Sequence, residues 1–199
     1  MMSLSKLFRS KIRDERGVAA IEFALVAPIL FILYFMTMEV SQAIETNKKI
    51  GRISSMVGDL VTQQSSLTPA EIDGILDIGA AIIQPYGRSR PTILIEHFQI
   101  EDRPNPTKAF IKWSRKLEGS TKRQGTPKNS EVSEPEELMD RGKYLVRVTT
   151  TLNYRPVIAW TAEQKTALGL ASAFDNIAMS ELSYLRPRNA LAEITCGTC

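Results

Sequence analysis

The sequence predicts an α+β protein: a long N-terminal transmembrane helix continuing into a soluble domain with a small antiparallel sheet and accessory helices. Three observations carry this reading. From Val18 to Met38 run 21 residues with a single formal charge, Glu22. Beyond that run, apolar residues keep helical spacing to about Gln63, and do so again from Ile72 to Ile83. β-branched and aromatic residues then mark strands at 92–100, 109–114 and 144–154, and 177–185 is expected as a last strand. Composition agrees, since 24% charged and 43% hydrophobic residues fit neither a disordered nor a polytopic chain.

The helix comes first. At ~1.5 Å per residue the 18–38 run gives roughly 31 Å, close to the ~30 Å hydrocarbon thickness of a bilayer, and the span is placed at 18–40. The leader, residues 1–17, holds Lys6, Arg9, Lys11, Arg13 and Arg16 against Asp14 and Glu15, while Lys48, Lys49 and Arg52 lie on the far flank. That bias puts the leader in the cytoplasm and the domain 41–199 in the periplasm or outside. A carboxylate at the centre of a bilayer costs about 2.5–3.5 kcal/mol, which makes Glu22 a functional candidate. Pro28 removes one backbone hydrogen bond and crowds the carbonyl of Ala24, so a kink is expected there. Two plainer readings stand beside this one. In the first, 18–40 is an uncleaved signal anchor whose Glu22 reaches for the interface. In the second it is a secretory signal cut near Ser41-Gln42-Ala43, although its apolar run exceeds the usual 7–15 residues.

In the soluble domain, Val40, Ala43, Ile44, Ile50, Ile53, Val57, Leu60 and Val61 form an apolar stripe that continues the anchor helix. Glu45 and Lys49 form an i,i+4 pair on its other side. Glu39 falls where the helix leaves lipid, and interfacial solvation accounts for it. Thr68-Pro69-Ala70-Glu71 is a capping box with proline at the first helical position, and Pro85 ends the helix it opens. In 144–154 the residues Val146, Val148, Thr150, Leu152 and Tyr154 alternate with polar ones, as in a half-buried antiparallel strand. The stretch 116–143 is rich in Gly, Ser, Pro and charge and is expected as an exposed, mobile loop. Thr161-Ala162-Glu163-Gln164 caps a short helix to about residue 172.

Little of this carries catalytic chemistry. His97 is the one histidine, which excludes a histidine-pair metal site and a Ser-His-Asp triad. Glycine-rich phosphate loops and HExxH are absent from the sequence. No catalytic residue, metal, cofactor or small-molecule substrate is therefore assigned, and the protein is read as a non-enzyme. Basic residues do not gather into a stripe with aromatics, which argues against nucleic acid. Cys196 and Cys199 form a CxxC, read as a small oxidised loop and candidate disulfide, with redox exchange as the alternative.

The most specific signal surrounds Gly17. A basic leader ends in Gly17, an apolar helix starts at Val18, and the acid is the fifth residue of that helix, followed by Phe23. This resembles the type IV prepilin signal of the Flp/Tad class, with glycine, four residues, glutamate and then usually tyrosine; Phe23 departs from that last position. Residues 16–40, RGVAAIEFALVAPILFILYFMTMEV, are similar to the opening of the TadE-like (TadE/TadG) pilus assembly family, more loosely to about residue 58. The resemblance implies a pilin-like fold and a pseudopilin or minor pilin role in assembling Flp/Tad adhesive pili at the inner membrane. It implies cleavage between Gly17 and Val18 by a prepilin peptidase, with Glu22 and Phe23 setting helix register in assembly. The implied partners are membrane lipid, the peptidase, other Tad pilins or pseudopilins and the inner-membrane platform. A different class remains open, that of an uncleaved membrane-anchored periplasmic binding or scaffold protein.

Overall fold

The computed structural model describes residues 15–102, 108–157, 177–188, 193–197 and 199. Most of the leader and the helix expected over 161–172 lie outside them. The chain divides into two compact units, residues 1–42 and 43–199.

The first unit is the apolar part of helix α1 (Glu15–Thr62), which begins in it. Its residues have no other way to satisfy their backbone in an apolar medium than the helix's own ladder. The helix is long and apolar enough to cross a membrane and continues through Pro28. Two of its hydroxyls are used internally: Thr37 donates to the Leu33 carbonyl at 2.8 Å and Ser41 to that of Thr37 at 2.9 Å. Glu39 is buried, in contrast to the solvated interfacial acid expected.

In the second unit α1 continues to Thr62 and is followed by β1 (Ser66–Leu67) and α2 (Pro69–Ala81). Strands β2 (Thr92–Ile100), β3 (Ala109–Glu118), β4 (Thr121–Arg123), β5 (Glu131–Val132), β6 (Tyr144–Tyr154), β7 (Ile177–Leu185) and β8 (Thr195–Cys196) complete it. The main sheet is antiparallel in the order β4-β3-β2-β6-β7, with β5 on part of β3, while β1 and β8 form a separate parallel pair. The capping box of α2 is formed: the Glu71 N–H donates to Thr68 Oγ1 at 3.3 Å and the Thr68 N–H to Glu71 Oε2 at 2.7 Å. The 116–143 stretch is more ordered than an exposed loop. β3 runs into it, β4 and β5 lie within it, and Val132 is buried.

One sheet face carries the main core. Ile50, Ile53, Val57 and Val61 of α1 and Ile72 and Leu76 of α2 pack on Ile93, Ile95, Trp113, Leu117, Val146, Val148, Leu152 and Tyr154. Of the predicted α1 stripe, Val40 and Ile44 stay exposed. Gly79 lets α2 approach α1, since a Cβ there would sit 2.6 Å from a methyl of Val57. The other face holds a smaller core of Phe98, Ile100, Ala109, Ile111, Val132 and Leu145. Both cores draw odd-numbered residues from β3 because the strand contains a bulge. His97 pairs with Trp113 but Phe98 with Ile111, so Lys112 is the extra residue and the alternation of faces shifts across it. Asp73 of α2 clamps Arg115 of β3 through two bonds of 2.7 and 2.8 Å, tying helix to sheet on the main-core side.

Candidate functional site

Gly17, Val18, Glu22, Phe23 and Pro28 all fall on α1 within the first unit. At 100° per residue Val18 and Glu22 are separated by roughly one turn and share a helix face. Glu22 is exposed, and among the described residues it makes no hydrogen bond or ion pair. An unpaired carboxylate on an otherwise apolar surface needs a partner or water from outside the helix. Phe23 is 71% exposed and begins a shallow apolar groove with Ala27, Leu30, Phe31 and Tyr34, the small alanine forming its floor. Gly17 lies in the first turn of α1, with open space around its Cα. Pro28 leaves the Ala24 carbonyl without its helical donor.

The second unit places other chemistry-bearing groups where sequence reasoning did not. His97, which alternates with apolar neighbours in β2, is fully buried. Its Nδ1 donates to the Leu145 carbonyl at 3.1 Å and its Nε2 accepts from the Ile194 N–H at 3.3 Å, so the two bonds fix one neutral tautomer. The rings of Trp113 and Tyr144 lie 5.5 Å away on either contact. Burial, opposed by the Leu145 bond and reinforced by the Lys112 charge, brings its pKa down to about 4. The Ile194 carbonyl accepts from Trp113 Nε1 at 2.7 Å. His97 and Trp113 thus hold both backbone groups of Ile194, just before β8 and the Cys196–Cys199 disulfide.

On the opposite face, Arg147 lies between two acids with almost no exposure, Glu96 and Glu134. Its Nε donates to Glu96 at 2.7 Å, and a second nitrogen donates to Glu134, which also accepts from the Tyr184 hydroxyl. Thr126 donates to Glu96 as well. Burial works against the Arg147 charge, but the two carboxylates outweigh it and raise its pKa above the ordinary range. The sequence alone sets Arg147 on the polar face of β6 and Glu134 in an exposed loop. The signal within reach was Glu96, an acid alone in a β-rich run, which the sheet register sets opposite Arg147. Among the described residues no buried side-chain nitrogen or oxygen is left without a hydrogen-bond partner. The network holds the second core together. Among the described residues no group of His, Cys, Asp and Glu is arranged to hold a metal ion.

Residues 17–50 match the family model described as TadE-like protein. The match begins on Gly17 and covers the helix that carries Val18, Glu22, Phe23 and Pro28. It supports an association with the Tad pilus machinery. Comparison with curated proteins gave no match, and comparison with solved structures gave none.

Proposed function

We propose that the chain is a pseudopilin-like, minor subunit in the assembly of Flp/Tad-type adhesive pili. The 18–40 helix holds it in the inner membrane, and the second unit stands on the periplasmic side. One observation carries the reading: the family match starts on Gly17, five residues before the only acid of the 18–38 apolar run. On this reading a prepilin peptidase cuts between Gly17 and Val18. The first turn must open for that, which is cheap because helix ends fray and glycine is about 1 kcal/mol poorer than alanine in a helix. Cleavage gives Val18 a free α-ammonium at the helix start. Glu22 of one subunit then pairs with that amine on a neighbour, which offsets the cost of keeping either charge in lipid. Phe23 and the groove behind it supply the apolar contact that sets helix register. The work of the chain is then assembly, not catalysis, and its partners are the peptidase, other Tad pilins and the inner-membrane platform.

N-terminal sequencing and intact mass of the membrane-extracted protein test the cut directly. A start at Val18 is expected, and a start at Met1 or Met2 in cells with active peptidase refutes it. Glu22→Val keeps membrane insertion and abolishes pilus incorporation. Unchanged incorporation removes Glu22 as the register device. The second reading, an uncleaved periplasmic binding or scaffold protein, draws on an open cleft of about 420 Å³ lined by residues that include Asp77, Tyr86, Ser89, Arg90 and Lys122.

A further inference from the structure

We infer that the outer face of α1 in the second unit docks a helix of a partner protein, one that sets a pair of acids between apolar residues. This face lies opposite the one that packs on the sheet. Ile50, Ile53, Val57 and Val61 turn to the main core. Ile44, Lys48, Arg52 and Met56 follow one another at every fourth residue on the far side, and all four are exposed. Ile44 is 52% and Met56 46% exposed. Two apolar residues thus bracket two cations in a row about 18 Å long.

The row borders an open groove. Lys48, Arg52, Ser55 and Met56 line it on α1, and Ile82, just past the end of α2, lines it from the side. Ile78 shares the helix face of Ile82 one turn earlier and is also 52% exposed, so the apolar wall continues along α2. A single exposed apolar residue is ordinary. Here such residues are gathered on two neighbouring helices beside a groove, at the i, i+4 spacing by which an amphipathic helix is held.

Charge identifies the occupant. Lys48 and Arg52 make no ion pair or hydrogen bond among the described residues. The acids nearest them on α1 are taken, Glu45 by Lys49 at 3.1 Å and Asp59, which also lines the groove, by Arg188 at 2.9 Å. The groove therefore keeps two uncompensated positive charges. Two carboxylates four residues apart on a helix match that spacing, and an apolar residue one turn beyond each meets Ile44 and Met56. Among the described residues no helix of a second copy supplies this pattern. On α2, Glu71 is held by Thr68, Asp73 by Arg115 and Asp77 by Lys122. Two copies laid face to face here would set cation against cation. The site lies wholly in the second unit and does not depend on a cut at Gly17.

The test uses the full-length protein in phosphatidylcholine nanodiscs and two blocked helical peptides. One carries leucine, glutamate, glutamate and leucine at successive fourth positions, and the other has lysine in place of glutamate. Fluorescence anisotropy reads binding, and the Met56 methyl NMR signal reads its place. The glutamate peptide is expected to shift that signal and to bind about tenfold more tightly than the lysine peptide, the size of two exposed ion pairs gained against two repulsions. Lys48→Glu with Arg52→Glu reverses the preference while tryptophan fluorescence stays native, because neither side chain has a partner to lose. Equal binding of both peptides, a Met56 signal that neither moves, or a preference that survives the double charge reversal overturns the proposal. So does a Met56 shift on changing the discs to phosphatidylglycerol without peptide, which gives the groove to lipid headgroups. Disulfide cross-linking of two chains through Met56→Cys overturns it as well, making a second copy the occupant.

Discussion

Acidification should loosen the second unit through His97, and the size of the effect follows from its burial. In the unfolded chain an imidazole titrates near 6.5, whereas in the fold His97 is held neutral down to about 4. Below pH 6.5 the unfolded chain therefore binds more protons than the folded one, so stability rises with pH across the window from 4 to 6.5. The contribution is fully present above about pH 7 and lost as the pH falls to 4. A displacement of ~2.5 pH units at ~1.36 kcal/mol each gives about 3 kcal/mol over the window, of which about 2 kcal/mol is already lost at pH 5. Protonation also removes the lone pair on Nε2 that accepts the Ile194 N–H, so the β8 tail should release first. The assay is urea unfolding of the detergent-solubilised protein at pH 7.5, 6, 5 and 4, read by tryptophan fluorescence, for the native chain and His97→Gln. Carboxylates such as Asp73 and Glu71 titrate in both and cancel. The variant should be less stable at pH 7.5 but lose about 2 kcal/mol less on going to pH 5. Identical pH slopes for the two proteins, or an imidazole nitrogen NMR titration centred near 6.5, refute the reasoning.

Two further outcomes test the packing. Arg147→Met strands Glu96 and Glu134 in the second core and should cost about 3–5 kcal/mol in urea unfolding; adding Glu96→Gln and Glu134→Gln to it should recover most of that loss. Gly79→Ala drives a methyl into Val57 at the α1–α2 crossing and should destabilise by about 1–3 kcal/mol, whereas Gly74→Ala on the open side of α2 should not.

Much of the fold was legible because its signals are local. β2 and β6 begin and end where side-chain alternation and β-branching do, and α2 opens on its capping box. The 116–143 stretch misled for a definable reason: Gly, Ser, Pro and charge describe its exposed residues, and β5 rests on two residues paired with β3. Nothing within that stretch reveals that Glu134 meets Arg147 and Tyr184, because the partners come from other strands.

The chain by itself determined the apolar span, the acid five residues past Gly17, and the places where α2, β2, β3, β6 and β7 start. Each depends on periodicity, caps and composition within a few residues. The tertiary structure alone decided the fate of the polar residues. Lys112 became the extra residue of a bulge that turns Ile111 and Trp113 to different cores, and His97 became a buried clamp on Ile194. β7 became the last strand of the main sheet, paired with β6 along its whole length. These outcomes rest on register between distant strands, and a strand's own sequence does not state what it pairs with.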